Sequence, residues 1–103
     1  MVALKEKKAL FDLGRIVATP GVTHAIEGNH AMLIPYLDRH STGDWGAVCE
    51  EDWETNNQSL LNGSRLLSAY AFPDGTKFWI ITEREIDEEH HRYATTFLLP
   101  EEY

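Results

Sequence analysis

The hydrophobic pattern is densest over residues 64–82, SRLLSAYAFPDGTKFWIIT, where two apolar runs flank Pro73-Asp74-Gly75. Proline presets the first central position of a turn, aspartate caps its own backbone and glycine accepts positive φ. The triplet therefore predicts a hairpin. A three-residue loop pairs Phe72 with Thr76. Strand alternation then puts Leu66, Tyr70, Phe72, Phe78 and Ile80 on one face, and Leu67, Ala69, Ala71, Trp79 and Ile81 on the other. Apolar residues on both faces predict a hairpin at the centre of a sheet, covered fully on one side and partly on the other.

The remaining elements are arranged around this hairpin. Residues 11–18, FDLGRIVA, end in a β-branched pair and predict a strand, with Gly14 as a bulge. Thr19-Pro20 is an N-cap followed by proline at the first helical position. The helix it opens runs to about Glu27, buries Val22 and Ile26, and stops at Gly28-Asn29. A short second helix covers residues 35–41, with Tyr36 and Leu37 facing inward. A third covers residues 48–62, where Cys49, Trp53, Asn57 and Leu60 share one face at spacings of four and three. Glu50, Glu51 and Asp52 fall in its first turn, where the helix dipole favours acids, and Gly63 ends it. Residues 83–90 form a charged connection to a further strand over residues 91–99, which Pro100 terminates. Strand, three helices and a three-stranded meander together predict an α+β two-layer sandwich. Its sheet is mostly antiparallel, of about four strands, with about three helices on one face. Trp53, Leu60, Leu67 and Trp79 are the expected core.

A chain of 103 residues is one domain, here residues 10–103, with residues 1–9 polar, basic and expected to fray. The 43% hydrophobic content suits a folded globule rather than a disordered chain. A single cysteine excludes an internal disulfide framework and fits a reducing, cytoplasmic setting. The start lacks a long apolar region after its lysines, so no signal peptide is expected. No apolar run is long enough to span a membrane.

Charge alters the picture more than composition does. The net charge is −8. Residues 44–54 hold Asp44, Glu50, Glu51, Asp52 and Glu54 with no base. Residues 83–89 hold Glu83, Glu85, Asp87, Glu88 and Glu89 with only Arg84. Such a body repels phosphate backbones, which argues against direct nucleic-acid binding. It can equally serve solubility alone.

Other candidate chemistry has structural explanations. His90-His91 beside the acids could suggest a metal site, but neighbours on a strand point to opposite faces, so a solvated turn is expected and no metal. Cys49 with His40 or His24 could suggest a nucleophile and base, against the simpler reading of a small buried thiol. In Gly43-Asp44-Trp45-Gly46, Trp45 is expected to anchor the loop in the core and Asp44 to cap the following helix. Thr19-Pro20-Gly21 has no phosphate-loop pattern. No cofactor is expected.

Five blocks carry a resemblance: FDLGRIVATPG at residues 11–21; GDWG at 43–46 with CEED at 49–52; RLLSAY at 65–70; DGTKFWIITE at 74–83; and TTFLLPEEY at 95–103. In this order they resemble a small bacterial family labelled plasmid-related, or type I restriction–modification "subunit M". The chain has neither the Gly-rich cofactor loop nor the Asn/Asp-Pro-Pro-Tyr/Phe motif of an amino-methyltransferase, and it departs from the family at Ile34-Pro35 and in its acidic connection. The resemblance supplies no catalytic residues. It implies a mobile-element origin.

The expected function is a small, acidic, non-enzymatic binding protein that docks a protein partner with a basic surface. The sharper form is an inhibitor of a host defence nuclease, anti-restriction or anti-CRISPR, whose nucleic-acid channel it occupies. The expected docking surface is Asp44, Glu50, Glu51, Asp52 and Glu54, with Glu85, Asp87, Glu88 and Glu89. The alternatives are a housekeeping interaction module and a small thiol or hydrolytic enzyme around Cys49.

Overall fold

Arg15–Ala18 (β1), Pro20–Ala25 (α1), Ile34–Ser41 (α2), Glu50–Asn62 (α3), Leu66–Ala71 (β2), Lys77–Thr82 (β3) and Ala94–Leu98 (β4) make up the fold, with 3-10 turns at His30–Leu33 and Pro100–Glu102. The computed structural model describes residues 9–103. The frayed start expected for residues 1–9 therefore lies, Ala9 apart, outside the described residues.

The four strands form one mixed sheet in the order β1-β4-β3-β2. The α+β architecture matches the sequence expectation. β2 is an edge strand, so the hairpin lies at one side of the sheet and not at its centre as expected, but it forms in the register its turn dictates: Tyr70 faces Phe78, and the Phe72 N–H donates to the Thr76 carbonyl at 2.9 Å. β4 pairs antiparallel with β3 and parallel with β1, so two of the three pairings are antiparallel.

The main core lies on the face carrying Tyr70, Phe72, Phe78, Ile80 and Phe97. Val22 and Ile26 from the α1 region and Leu33 from the first 3-10 turn pack onto it, flanked by Tyr36 and Leu37 of α2. Phe72 and Phe78 stack with ring centroids 4.0 Å apart. Thr19 caps α1 as expected, accepting from the Val22 N–H. The tail adds a second cap. Glu102 accepts from the Gly21 N–H at 3.0 Å and the Thr19 hydroxyl at 2.5 Å.

A second, polar-aromatic core sits on the same side at the other end of the sheet. Trp45 is fully buried there and, like His40, packs against Phe11. The Arg92 guanidinium is buried against the Phe11 ring and donates to the carbonyls of Ser64, Glu83 and Ser59. The Ser59 contact brings the C-terminal end of α3 over this cluster. Gly14 precedes β1 with φ +60°, and a β-carbon there would lie 2.2 Å from the Arg92 carbonyl oxygen. It lies in irregular backbone before the strand and is not a bulge, and the strand expected from residue 11 begins only at Arg15.

The α3 face differs from the expected one. Asn56 and Ser59 are its buried residues; Trp53 and Leu60 are half-buried, and Cys49 and Asn57 are exposed. Asn56 turns inward to meet strand backbone, while the Ser59 hydroxyl donates back to the Thr55 carbonyl of its own helix. The Asn56 amide accepts from the Leu67 N–H and donates to the Leu67 carbonyl, closing the open edge of β2. Leu67 and Trp79, on the other sheet face, are likewise only half-buried.

Candidate functional site

The first acidic run is split by local structure. Asp44 does not cap α3. Its Oδ2 pairs with Arg39 Nε at 2.8 Å and its Oδ1 accepts from the Gly46 N–H. Residues 46–47 are committed to the β2 edge, where Ala47 donates to the Ala69 carbonyl and Ala69 donates to the Trp45 carbonyl. The helix therefore starts three residues later, with Cys49 at the N-cap. Trp45 anchors the loop as expected, and its indole N–H donates to Asn57 Oδ1 at 3.0 Å.

Glu50, Glu51, Asp52 and Glu54 are all exposed on the N-terminal half of α3. Among the described residues none of the four has an ion-pair partner; Glu54 accepts only from Gln58. Trp53 sits half-exposed between them. With Cys49, Glu50, Glu51, Glu54 and Thr55 it lines an open depression.

Two carboxylates of the second run, Glu85 and Asp87, are tied into local contacts. Glu85 Oε1 pairs with His90 Nδ1 at 3.0 Å, Oε2 lies 3.7 Å from Arg92, and the Glu85 N–H donates to the Gly63 carbonyl. Asp87 accepts from the N–H groups of Glu89 and His91 and pairs with the His91 ring at 2.8 Å. That ring holds the Asp87 carboxyl below, and Asp87 holds the imidazole above, their ordinary values. Glu88 and Glu89 are exposed. His90 and His91 bind different carboxylates, as the solvated-turn reading requires. No group of three metal-ligating side chains occurs among the described residues.

The two runs do not form one surface. Glu85 is tied to Gly63 just past the C-terminal end of α3, and the first run occupies the N-terminal end. A helix of this length separates them by roughly 18 Å.

Cys49 is exposed, not the buried thiol expected. No histidine lines its depression. His40, one of its candidate bases, is fully buried with both ring nitrogens occupied, Nδ1 by Ser68 Oγ at 2.5 Å and Nε2 by Thr82 Oγ1 at 2.9 Å. The bond chain fixes the tautomer. Thr95 donates to the Leu13 carbonyl, so Thr82 donates to Thr95 and His40 Nε2–H donates to Thr82. Nδ1 is left to accept from Ser68. Burial, then the Arg92 charge, push the imidazole down to about 3, so it is neutral near pH 7. The Ser68–His40 pair has the atoms of a nucleophile and base, but both side chains are fully buried. It is a polar pin between helix and sheet.

Sequence reasoning took Trp53 for core. The signal for exposure was its flanks, EEDWE, since neighbouring carboxylates resist burial. The His40 network gave no local signal, because its partners come from β2, β3 and β4.

No helix among the described residues is long and apolar enough to cross a membrane. The chain matches no protein-family model, no characterised protein and no solved structure.

Proposed function

We propose that the protein is a non-enzymatic binding module that docks a basic surface of another protein through the N-terminal half of α3. The observation that carries this reading is the set of four exposed carboxylates, without an ion pair among the described residues, beside half-buried Trp53. A central tryptophan with a charged rim is the composition of a binding hot spot. Lysine or arginine from the partner stacks on the indole face while its charge meets Glu50, Glu51 or Glu54. The rim charges steer association and make it salt-sensitive.

The partner class is a protein whose basic surface serves nucleic acid, such as a restriction or CRISPR nuclease of the host. Two things support it: the excess negative charge, and the resemblance of the five sequence blocks to a plasmid-related bacterial family. The docking surface is narrower than the sequence suggested. Asp44, Glu85 and Asp87 are engaged in internal bonds and serve structure, while Glu88 and Glu89 lie apart from it.

The test is capture from bacterial lysate on immobilised wild-type chain and on the Glu50→Lys/Glu51→Lys/Asp52→Lys variant, read by mass spectrometry. A nucleic-acid-processing protein retained by the wild type and lost by the folded variant supports the reading. Identical captures by both would remove it.

A further inference from the structure

The two edges of the sheet are treated differently. Along β2 the outward backbone groups of Leu67 are engaged by Asn56, those of Ala69 by residues 45–47, and the Ala71 carbonyl by the Tyr36 hydroxyl. Along β1 the Arg15 and Thr19 N–H groups donate to Tyr93 and Phe97 carbonyls of the neighbouring chain segment. The peptide groups of Ile16 and Ala18 therefore face outward, and no hydrogen bond reaches them among the described residues. The strand is apolar and open, with Ile16 47% and Val17 38% exposed. Protected monomers place charge, proline or a covering loop on such an edge. Beside it runs a largely apolar groove of about 350 Å³, lined by Ile16, Val17, Ala18, Ile34 and Leu37 together with His30.

We infer that β1 pairs antiparallel with β1 of a second copy about a two-fold axis at Val17, joining two sheets into one of eight strands. In this register Ile16 N–H donates to the copy's Ala18 carbonyl and Ala18 N–H donates to the copy's Ile16 carbonyl. The axis doubles these to four bonds and satisfies every outward group of both strands. Large Ile16 meets small Ala18 on the groove side, and the groove receives the copy's Ile16. On the other face Val17 meets Val17. Charge is complementary at the ends. Arg15 is exposed and has no ion pair among the described residues. The register brings it opposite the copy's Thr19, whose hydroxyl holds the Glu102 carboxylate. Two four-residue strands make a small interface, so the dimer is concentration-dependent. This surface shares no residue with the acidic half of α3, so the two proposals stand or fall separately.

Sedimentation equilibrium of the full chain, from micromolar to millimolar concentration, should approach twice the 11.8 kDa of one chain. Val17→Lys places like charges across the axis and should leave a monomer with an unchanged circular dichroism spectrum. Independently, Val17→Cys in a Cys49→Ala chain should oxidise to a disulfide-linked dimer, because non-hydrogen-bonded partners bring their Cα atoms within disulfide range. Arg15→Cys in the same background should not, since it lies four positions from its own copy. A wild-type chain that stays monomeric throughout, a Val17→Lys chain that still dimerises, or equal crosslinking at positions 15 and 17 would each overturn the inference.

Discussion

His40 should make the fold acid-sensitive from about pH 6.5 downward, beginning above the range where carboxylates titrate. The unfolded chain protonates this imidazole near 6.5, whereas the folded chain does so only at about 3. Below 6.5 the unfolded state binds a proton that the folded state refuses. Stability is therefore complete above that value and falls as pH drops toward 3. At about 1.4 kcal/mol per tenfold difference in proton affinity, the loss is roughly 2 kcal/mol between pH 7.5 and pH 5, and roughly 4 kcal/mol by pH 3. His40→Gln keeps one donor and one acceptor for Thr82 and Ser68 and removes the titration. Urea unfolding of both proteins, followed from pH 8 to pH 4.5, isolates the effect. Asp12 and Glu102, held low by the Arg92 N–H and the Thr19 hydroxyl, act in both proteins and cancel, as does the opposite-signed His91 contribution. The wild type should lose about 2 kcal/mol more than the variant by pH 5. Parallel stability curves would refute the tautomer and the burial argument together.

Other substitutions probe the packing. Phe78→Ala, at a fully buried site, should cost about 3–5 kcal/mol, while Trp79→Ala, half-buried on the other face, should cost about half as much; thermal melts rank them, and the reverse order would contradict the face assignment. Asn56→Ala should lose about 1–3 kcal/mol by orphaning the Leu67 peptide groups, and should speed hydrogen exchange at the Leu67 amide above all others. Gly46→Ala forces a β-carbon to 2.0 Å from the Ala69 carbonyl oxygen at φ +74°, whereas Gly75→Ala, at φ +91°, carries backbone strain but meets no neighbouring atom. The first should unfold the loop, measured as loss of Trp45 burial by fluorescence quenching, and the second should not.

Local chemistry made much of the fold legible. Pro73-Asp74-Gly75 set the register of the β2–β3 hairpin, Thr19-Pro20 opened α1 where expected, and Gly63 ended α3 in a left-handed conformation. What failed depended on distant partners. Hydrophobic spacing oriented α3 by Trp53 and Leu60, but Asn56 turns inward instead to meet strand backbone. Asp44 has the right residue type for a cap, yet pairing of residues 46–47 with Ala69 moves the helix start beyond its reach. The acidic runs were visible as charge, but not their fate. His90, His91 and Arg92 engage Glu85 and Asp87 through contacts the turn creates, and leave Glu50, Glu51, Asp52 and Glu54 as the set proposed for docking.

The central claim is that this set, with Trp53, docks a basic partner. The direct measurement is a titration of the captured partner with wild type and with the Glu50→Lys/Glu51→Lys/Asp52→Lys variant, each at low and at physiological salt. A Debye length of about 8–10 Å at physiological salt screens exposed contacts of this kind. The wild type should bind more tightly at low salt, and the variant should lose binding at both salts while keeping its fold, apart from a small helix-dipole loss. Equal affinities in all four conditions would contradict the claim.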